Sequence, residues 1–209
     1  MTPFSPFRLC LATLASAVAA GLVLAPAAHA GWLVDTAPDC NAQVLETPFW
    51  RFADPAPYTL VPNGALEQWS KWSFDGGATR DHENEPYLVH DVDDASSLSL
   101  PAGSSATTAS VCVGIEYPTL RFFVRNRGSA SSVLRVEVLY EDAAGATRSL
   151  PIAALTAGPN WQPTAPLPLA VNLLPLLPGD RTAVAFRFTP EGAGDWSVDD
   201  VYVDPWRHR

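Results

Sequence analysis

The sequence predicts an all-β protein, a sandwich or barrel built from short strands. Apolar and polar residues alternate with a period of two in the clearest segments, 119–126, 132–142 and 181–190. Gly, Ser, Asn, Asp and Pro separate these segments at the spacing of sandwich and barrel proteins. No long window shows helical periodicity without a proline or glycine inside it, which argues against a helical domain.

Segments 119–126 and 132–142 predict a β-hairpin, because only the short Gly- and Ser-rich stretch 127–131 separates them. One face of this hairpin should be buried and the other wetter. The predicted outward side chains are Arg121, Phe123 and Arg125, opposite Arg135 and Glu137. Shorter strands are predicted at 58–61, 72–74, 87–90, 97–100, 107–113, 147–153 and 196–203.

Residues 1–30 have the layout of a secretory signal peptide. Arg8 precedes an apolar run, and Ala28-His29-Ala30 forms a small-x-small cleavage site. The alternative is a membrane anchor that remains in place, but Pro26 and the cleavage site favour removal. The chain is therefore expected to be secreted, with no membrane association after cleavage.

The exported part would comprise a proline-rich, irregular N-terminal arm (31–57) and a β-sandwich domain (58–209). Its two cysteines, Cys40 and Cys112, predict one disulfide, because export removes the chain from reducing conditions. Two buried free thiols are the alternative. The bond would tie the arm to a strand of the domain.

Charge and motif content exclude several classes of function. The chain has 22 acidic and 13 basic residues, for a net charge of −9, which argues against nucleic-acid and anionic-membrane partners. There is no G-x-S-x-G elbow, and no carboxylate pair stands out as a glycosidase site. The sequence therefore predicts a protein that is not an enzyme.

The stretch 194–206, GDWSVDDVYVDPW, raises a problem of parity. Its apolar residues before and after Asp199–Asp200 would point to opposite faces of a regular strand. A β-bulge at the two aspartates would let all of them face the core. Asp199 would then point toward the interior or its rim, where a carboxylate needs a cation, an arginine or several hydrogen-bond donors.

Several short motifs resemble galactose-binding-like jelly rolls, the fold of many carbohydrate-binding modules. They are Asn63-Gly64-x-Leu66-Glu67 with Trp72, then SSLSL at 96–100, then TAVAFRFTP and GDWSVDDVYVDP. The resemblance covers about residues 58–204 and implies a β-sandwich jelly roll. The chain also resembles exported single-module proteins of high-GC bacteria.

The same resemblance implies a structural Ca²⁺ held by Glu67 and Asp199, with loop carbonyls completing the oxygen shell. The metal-free alternative is that Glu67 pairs with an arginine and Asp199 accepts backbone N–H bonds at the bulge. In either case these residues are expected to support the fold rather than to perform chemistry.

Two surfaces are predicted to bind ligand. Trp69 and Trp161 lie in polar or turn-like contexts and are the tryptophans best placed to stack on sugar rings. The second surface is the outward face of Arg121, Phe123 and Arg125, because arginine binds hydroxyls and carboxylates through several donors. The competing interpretations are tryptophans of the core and a solvated face with cross-strand ion pairs.

The predicted function is non-catalytic binding of an extracellular or cell-wall polysaccharide. A structural or adhesive surface protein with a protein partner is the alternative, and a small hydrolase with an unrecognised site is a third hypothesis.

Overall fold

A computed structural model describes residues 31–68, 70–170, 174 and 180–206. These residues form two antiparallel sheets packed face to face, so the predicted all-β sandwich is confirmed. The predicted signal peptide and Trp69 lie outside the described residues. Within that described part, no helix has the length and apolar character needed to cross a membrane.

The first sheet contains seven strands among the described residues, in the order β10-β7-β13-β4-β3, with β1 beside β13 and β11 beside β7. The strands are β1 (Thr59–Leu60), β3 (Thr79–Asp81), β4 (Ser97–Leu100), β7 (Thr119–Asn126), β10 (Gln162–Pro163), β11 (Leu167–Pro168) and β13 (Trp196–Asp204).

The second sheet contains six strands among the described residues, in the order β2-β5-β12-β8-β9, with β6 beside β12. The strands are β2 (Ser73–Asp75), β5 (Ser105–Thr107), β6 (Val111–Gly114), β8 (Val133–Glu141), β9 (Thr147–Leu155) and β12 (Arg181–Glu191).

The core lies between the sheets and follows the alternation of the longest strands. In β7, β8 and β12 every second side chain is apolar and contacts the opposite sheet. The central contributors are Leu120, Phe122, Val124, Leu134, Val136, Val138, Val184, Phe186 and Phe188. The rings of Phe122 and Phe188 meet edge to face across the sandwich, with centroids 5.1 Å apart.

The predicted hairpin of 119–126 and 132–142 is wrong. Strand β7 pairs with β13 in the first sheet, and β8 pairs with β12 and β9 in the second. The link between β7 and β8 crosses from one sheet to the other beside the β12–β13 connection, where the Arg127 N–H donates to the Asp195 carbonyl at 2.7 Å. Alternation identifies a strand and its two faces, but it does not identify the partner strand.

The predicted bulge in β13 is confirmed. Its pairing with β7 shifts register between Asp199 and Tyr202, and Asp200 adopts a φ of +47°. Aspartate is among the few residues that tolerate this conformation. The side chains that consequently reach the core on either side of the bulge are Trp196, Val198, Val201 and Val203.

The N-terminal arm wraps the outer faces of both sheets. Its short helix α1 (Trp32–Thr36) places Leu33 against the outer side of β8 and β12, and two 3₁₀ turns follow at Cys40–Ala42 and Trp50–Phe52. The predicted Cys40–Cys112 disulfide is confirmed, with Cα atoms 5.3 Å apart, and it fastens the arm to β6. The arm is thus irregular apart from these short turns, as predicted.

Helix α1 is anchored by a buried carboxylate of β8. Glu141 accepts hydrogen bonds from the backbone N–H groups of Gly31, Leu33 and Val34, at 3.1, 2.6 and 3.4 Å. These N–H groups begin the helix and have no partner inside it. The Glu141 carboxylate therefore caps α1 from the neighbouring sheet and holds the start of the arm in place.

We expect Glu141→Gln to lower the free energy of unfolding by about 1–3 kcal/mol, because an amide has one acceptor oxygen and no charge to offer three N–H donors. Urea denaturation measures the change. Asp35→Asn, an exposed charge on the same helix, is the control and should change stability by less than about 0.5 kcal/mol. Equal urea midpoints for the two variants would show that the carboxylate does not hold the arm.

Candidate functional site

The outer face of the first sheet is closed. Arg121, Phe123 and Arg125 point away from the core along β7, yet their exposed fractions are 6, 0 and 9%. The prediction of an open ligand-binding face on these three residues is therefore wrong. The N-terminal arm lies over this face together with residues 82–96 between β3 and β4, which we call the covering loop.

Aromatic packing explains the burial of Phe123. Phe49 and Phe52 of the arm and Tyr87 of the covering loop surround its ring, with centroids 5.7, 5.5 and 5.4 Å away. Aromatic pairs at these separations contribute beyond their buried area. The side chain is thus the centre of a second small core, outside the sandwich.

Arg121 fastens the arm to the sheet. Its Nε donates to the Thr164 carbonyl at 2.7 Å, and its Nη1 donates to Asp54 Oδ2 of the arm at 2.5 Å. The guanidinium also lies over the ring of Phe49, 4.4 Å from the centroid. These contacts give the arginine a structural role.

Trp161 and Arg125 form a stacked pair below the surface. The predicted exposed platform at Trp161 is wrong, because only 8% of the residue is exposed. The Arg125 guanidinium lies 4.6 Å from the indole centroid and forms an ion pair with Glu83 of the covering loop. The hydrogen bond from Arg125 lowers the pKa of the Glu83 carboxyl.

The two predicted calcium ligands bind different backbone segments. Glu67 accepts the N–H groups of Ala95 and Ser96, both at 2.8 Å. Asp199 accepts the N–H groups of Glu85 at 3.0 Å and Asp200 at 2.8 Å. Each carboxylate is thus engaged by backbone N–H donors of its own neighbourhood. The hydrogen bonds of Asp199 are those of the metal-free alternative, and calcium binding stays a prediction.

Asp199 and Asp200 form a buried acidic cluster beneath the covering loop. Asp199 pairs in register with Phe123 and so lies on the outer face of the first sheet, not inside the sandwich. Burial, and then the charge of Asp200, raises the pKa of Asp199 well above its usual value. Burial, and then the charges of Glu85 and Asp94, raises the pKa of Asp200 to about 8.

The outer face of the second sheet carries an open depression, which we call the sheet groove. Helix α1 covers one part of this face, over Ala183 and Ala185, and leaves the rest uncovered. The groove has a volume of about 500 Å³. The residues that line it are Ser73, Asp75, Gly103, Ser104, Ser105, Thr107, Arg135, Glu137, Arg187 and Thr189.

Strand register arranges the groove floor in rows across β2, β5, β12 and β8. One row runs Ser73, Thr107, Arg187, Glu137, as the pairing of the four strands requires. At one rim, Gly76 adopts a φ of +62° and lies so close to the next turn that a Cβ would be 2.5 Å from the Gly103 carbonyl oxygen. The tight contact of these two turns fixes the edge of the groove.

The floor of the groove offers both hydrogen-bond donors and acceptors. Arg187 Nε donates to Thr107 Oγ1 at 3.3 Å, and Glu137 accepts from Ser149 Oγ at 3.1 Å. Arg135 pairs with Glu191 at the end of β12. Among the described residues no acidic side chain forms an ion pair with Arg187, so its terminal N–H groups are available to a ligand.

Sequence reasoning placed Arg135 and Glu137 on an outward face but missed the groove. The polar outward position Arg187 in the alternating segment 181–190 was the available signal. What the sequence did not show was that β5 and β8 lie on either side of β12, which brings Thr107, Arg187 and Glu137 into one row.

No protein-family model matches the sequence, and no curated protein matches it. Among solved structures, the chain resembles the CBM22-1 xylan-binding domain of Paenibacillus barcinonensis Xyn10C, with 16% identity, coverage of 67% of this chain and 90% of that one, and a TM-score of 0.46.

The C-terminal family 22 carbohydrate-binding module of Clostridium thermocellum Xyn10B also matches, with 16% identity, coverage of 79% and 96%, and a TM-score of 0.43. The enzymatically active domain of a bacteriophage CBA120 tailspike protein matches with 16% identity over 68% of this chain and 21% of that one, at a TM-score of 0.44. Carbohydrate-binding modules are thus among the structures that the chain resembles. Because identities and TM-scores are low, we infer function from this chain's own residues.

We expect Asp54→Asn to lower the free energy of unfolding by more than about 2 kcal/mol, because it leaves the buried Arg121 without its counter-charge. Glu191→Gln, which breaks the exposed pair with Arg135, should cost less than about 1 kcal/mol. Chemical denaturation of both variants measures the difference. Similar losses would contradict the role of Arg121 in fastening the arm.

Proposed function

We propose that this chain is an exported, non-catalytic module that binds an extracellular or cell-wall carbohydrate in the sheet groove. The observation that carries the proposal is the row of hydroxyl, guanidinium and carboxylate groups across the groove floor. A sugar hydroxyl both donates and accepts hydrogen bonds, and this mixture of side chains supplies both partners. Regular strands also hold such groups more rigidly than loops do.

The charges of the groove favour an uncharged polysaccharide. Two arginines, Arg135 and Arg187, are matched by two acids, Asp75 and Glu137, so the lining residues have no net charge. None of the lining residues is aromatic. Binding would therefore depend on hydrogen bonds, with the strongest ones donated by the charged guanidinium groups.

The spacing of the groove acids favours binding over hydrolysis. Asp75 lies on β2 and Glu137 on β8, three strand spacings apart in the sheet. Register also places them two residues apart along the strands, so their backbones are separated by about 16 Å. The two carboxyls of a glycosidase are about 5–9.5 Å apart. The Cys40–Cys112 disulfide in turn supports export, because disulfides persist in oxidising compartments.

A protein partner is the second candidate, and exposed apolar side chains favour it. Trp50 on the arm is 64% exposed and lines a depression of about 190 Å³ with Leu88 of the covering loop. Val92 and Val44 are also exposed. Tryptophan is among the residues most enriched at the energetic centres of protein interfaces, so the depression at Trp50 and Leu88 is the place where an adhesive partner would dock.

The first test is retention of the protein on insoluble polysaccharides and cell-wall preparations, with soluble glycans as competitors. We expect Arg187→Gln to weaken binding by about 10- to 100-fold, because charge-assisted hydrogen bonds are lost. Binding isotherms measured by depletion give the change. Arg148→Gln, on β9 outside the groove, is the matched control and should bind as the unmodified protein does.

Two other outcomes would redirect the assignment. Absence of retention on every glycan would overturn the carbohydrate proposal and favour a protein partner. Retention that is lost in Trp50→Ala but kept in Arg187→Gln would move the site from the sheet groove to the arm.

A further inference from the structure

Three metal-ligating side chains meet at the bulge of β13. Donor atoms of His90, Asp94 and Asp200 all lie within 4.8 Å of one another. His90 Nδ1 is 2.7 Å from Asp94 Oδ2. The described residues contain no other group of three such side chains at this spacing, and neither Glu67 nor Asp199 belongs to it.

Asp200 is the member of this cluster that needs a partner. The residue is 1% exposed, and neither of its carboxyl oxygens forms a hydrogen bond of standard geometry with a described residue. The Glu85 and Asp94 carboxyls lie beside it, and the nearby backbone N–H of His90 offsets their charge only in part. A buried carboxylate without a donor or a cation is strongly unfavourable.

We infer that His90, Asp94 and Asp200 form a binding site for one divalent transition-metal ion of the zinc class. An imidazole nitrogen and two carboxylate oxygens are ligands that zinc accepts, at about 2.0–2.2 Å. Ligands at that distance lie up to about 4 Å apart, so small side-chain movements would close the site around an ion. About a third of the His90 side chain is exposed, which leaves room for water in a further coordination position.

The donor set separates this site from the calcium site that the sequence resemblance implies. Calcium takes six to eight oxygen ligands, whereas this cluster presents one nitrogen and two carboxylates. Imidazole favours zinc, copper, nickel and related ions. The carboxylate of Glu85, which lies beside Asp200, already accepts the N–H groups of Tyr87 and Val89.

A metal ion here would fasten the covering loop to the sheet. His90 and Asp94 belong to the covering loop, and Asp200 belongs to β13. The loop is also held by the hydrogen bond from Glu85 N–H to Asp199 and by the packing of Tyr87 on Phe123. Coordination would replace the repulsion between the acids with bonds to a shared cation, and would stabilise the folded chain by an amount that rises with the logarithm of the free metal concentration above the Kd.

The test is a calorimetric titration of ZnCl2 into protein expressed from the full-length sequence and stripped with a chelator. We expect one saturable site per chain, a rise in melting temperature with ZnCl2, and a visible absorption band when CoCl2 replaces zinc. His90→Gln and Asp200→Asn should each weaken zinc binding at least about tenfold, since each removes a direct ligand.

Matched variants keep the test informative. His82→Gln removes another exposed histidine of the covering loop and should leave zinc binding unchanged. Asparagine tolerates the positive φ at position 200, so Asp200→Asn should fold.

Three results would overturn the inference: no saturable zinc binding, equal affinity in His90→Gln, or saturable CaCl2 binding that persists in His90→Gln. The last result would identify an oxygen-only site. Glycan retention is tested with Arg187→Gln and Arg148→Gln, and zinc binding with His90→Gln and Asp200→Asn. A failure of the carbohydrate proposal can therefore be distinguished from a failure of the metal site.

Discussion

The bulge of β13 is the constraint on which the rest of the structure depends. One extra residue changes the parity of the strand, so that apolar side chains on both sides of the bulge reach the sandwich core. The same shift leaves two adjacent aspartates buried on the opposite face. The bulge thus fills the core but buries an acidic cluster on the other face of the sheet. That cluster needs N–H donors from a covering segment, or a cation.

The cover determines which face of the sandwich can bind a ligand. The buried arginines of β7 and the aspartates of β13 need partners, and the N-terminal arm and covering loop supply them through Asp54, Glu83 and the Glu85 N–H. This closes the first sheet. On the second sheet α1 packs over Leu139, Ala183 and Ala185, while the polar residues of the sheet groove remain open.

The sequence predicted features that depend on local pattern. Most of the strands, the bulge and the disulfide follow from alternation, parity and cysteine count, whereas residues 87–90, also predicted as a strand, are an irregular part of the covering loop. The β7–β8 hairpin was wrong, because strand pairing depends on the whole topology. The prediction that Trp161 and Phe123 are exposed was wrong. The arm that covers Phe123 lies about seventy residues earlier in the chain. The alternation of apolar and polar residues in a strand does not show whether a distant segment of the chain covers its outer face.

The two proposed sites lie on opposite outer faces, and this makes them physically separable. The acidic cluster faces outward from the first sheet and the sheet groove faces outward from the second, with the whole sandwich core between them. The sheets alone are about 10 Å apart. A metal ion at Asp200 would order the covering loop, whereas the groove is shaped by strand register and by the Gly76–Gly103 contact. Any dependence of glycan binding on metal would therefore act through the stability of the sandwich, since no described residue belongs to both sites.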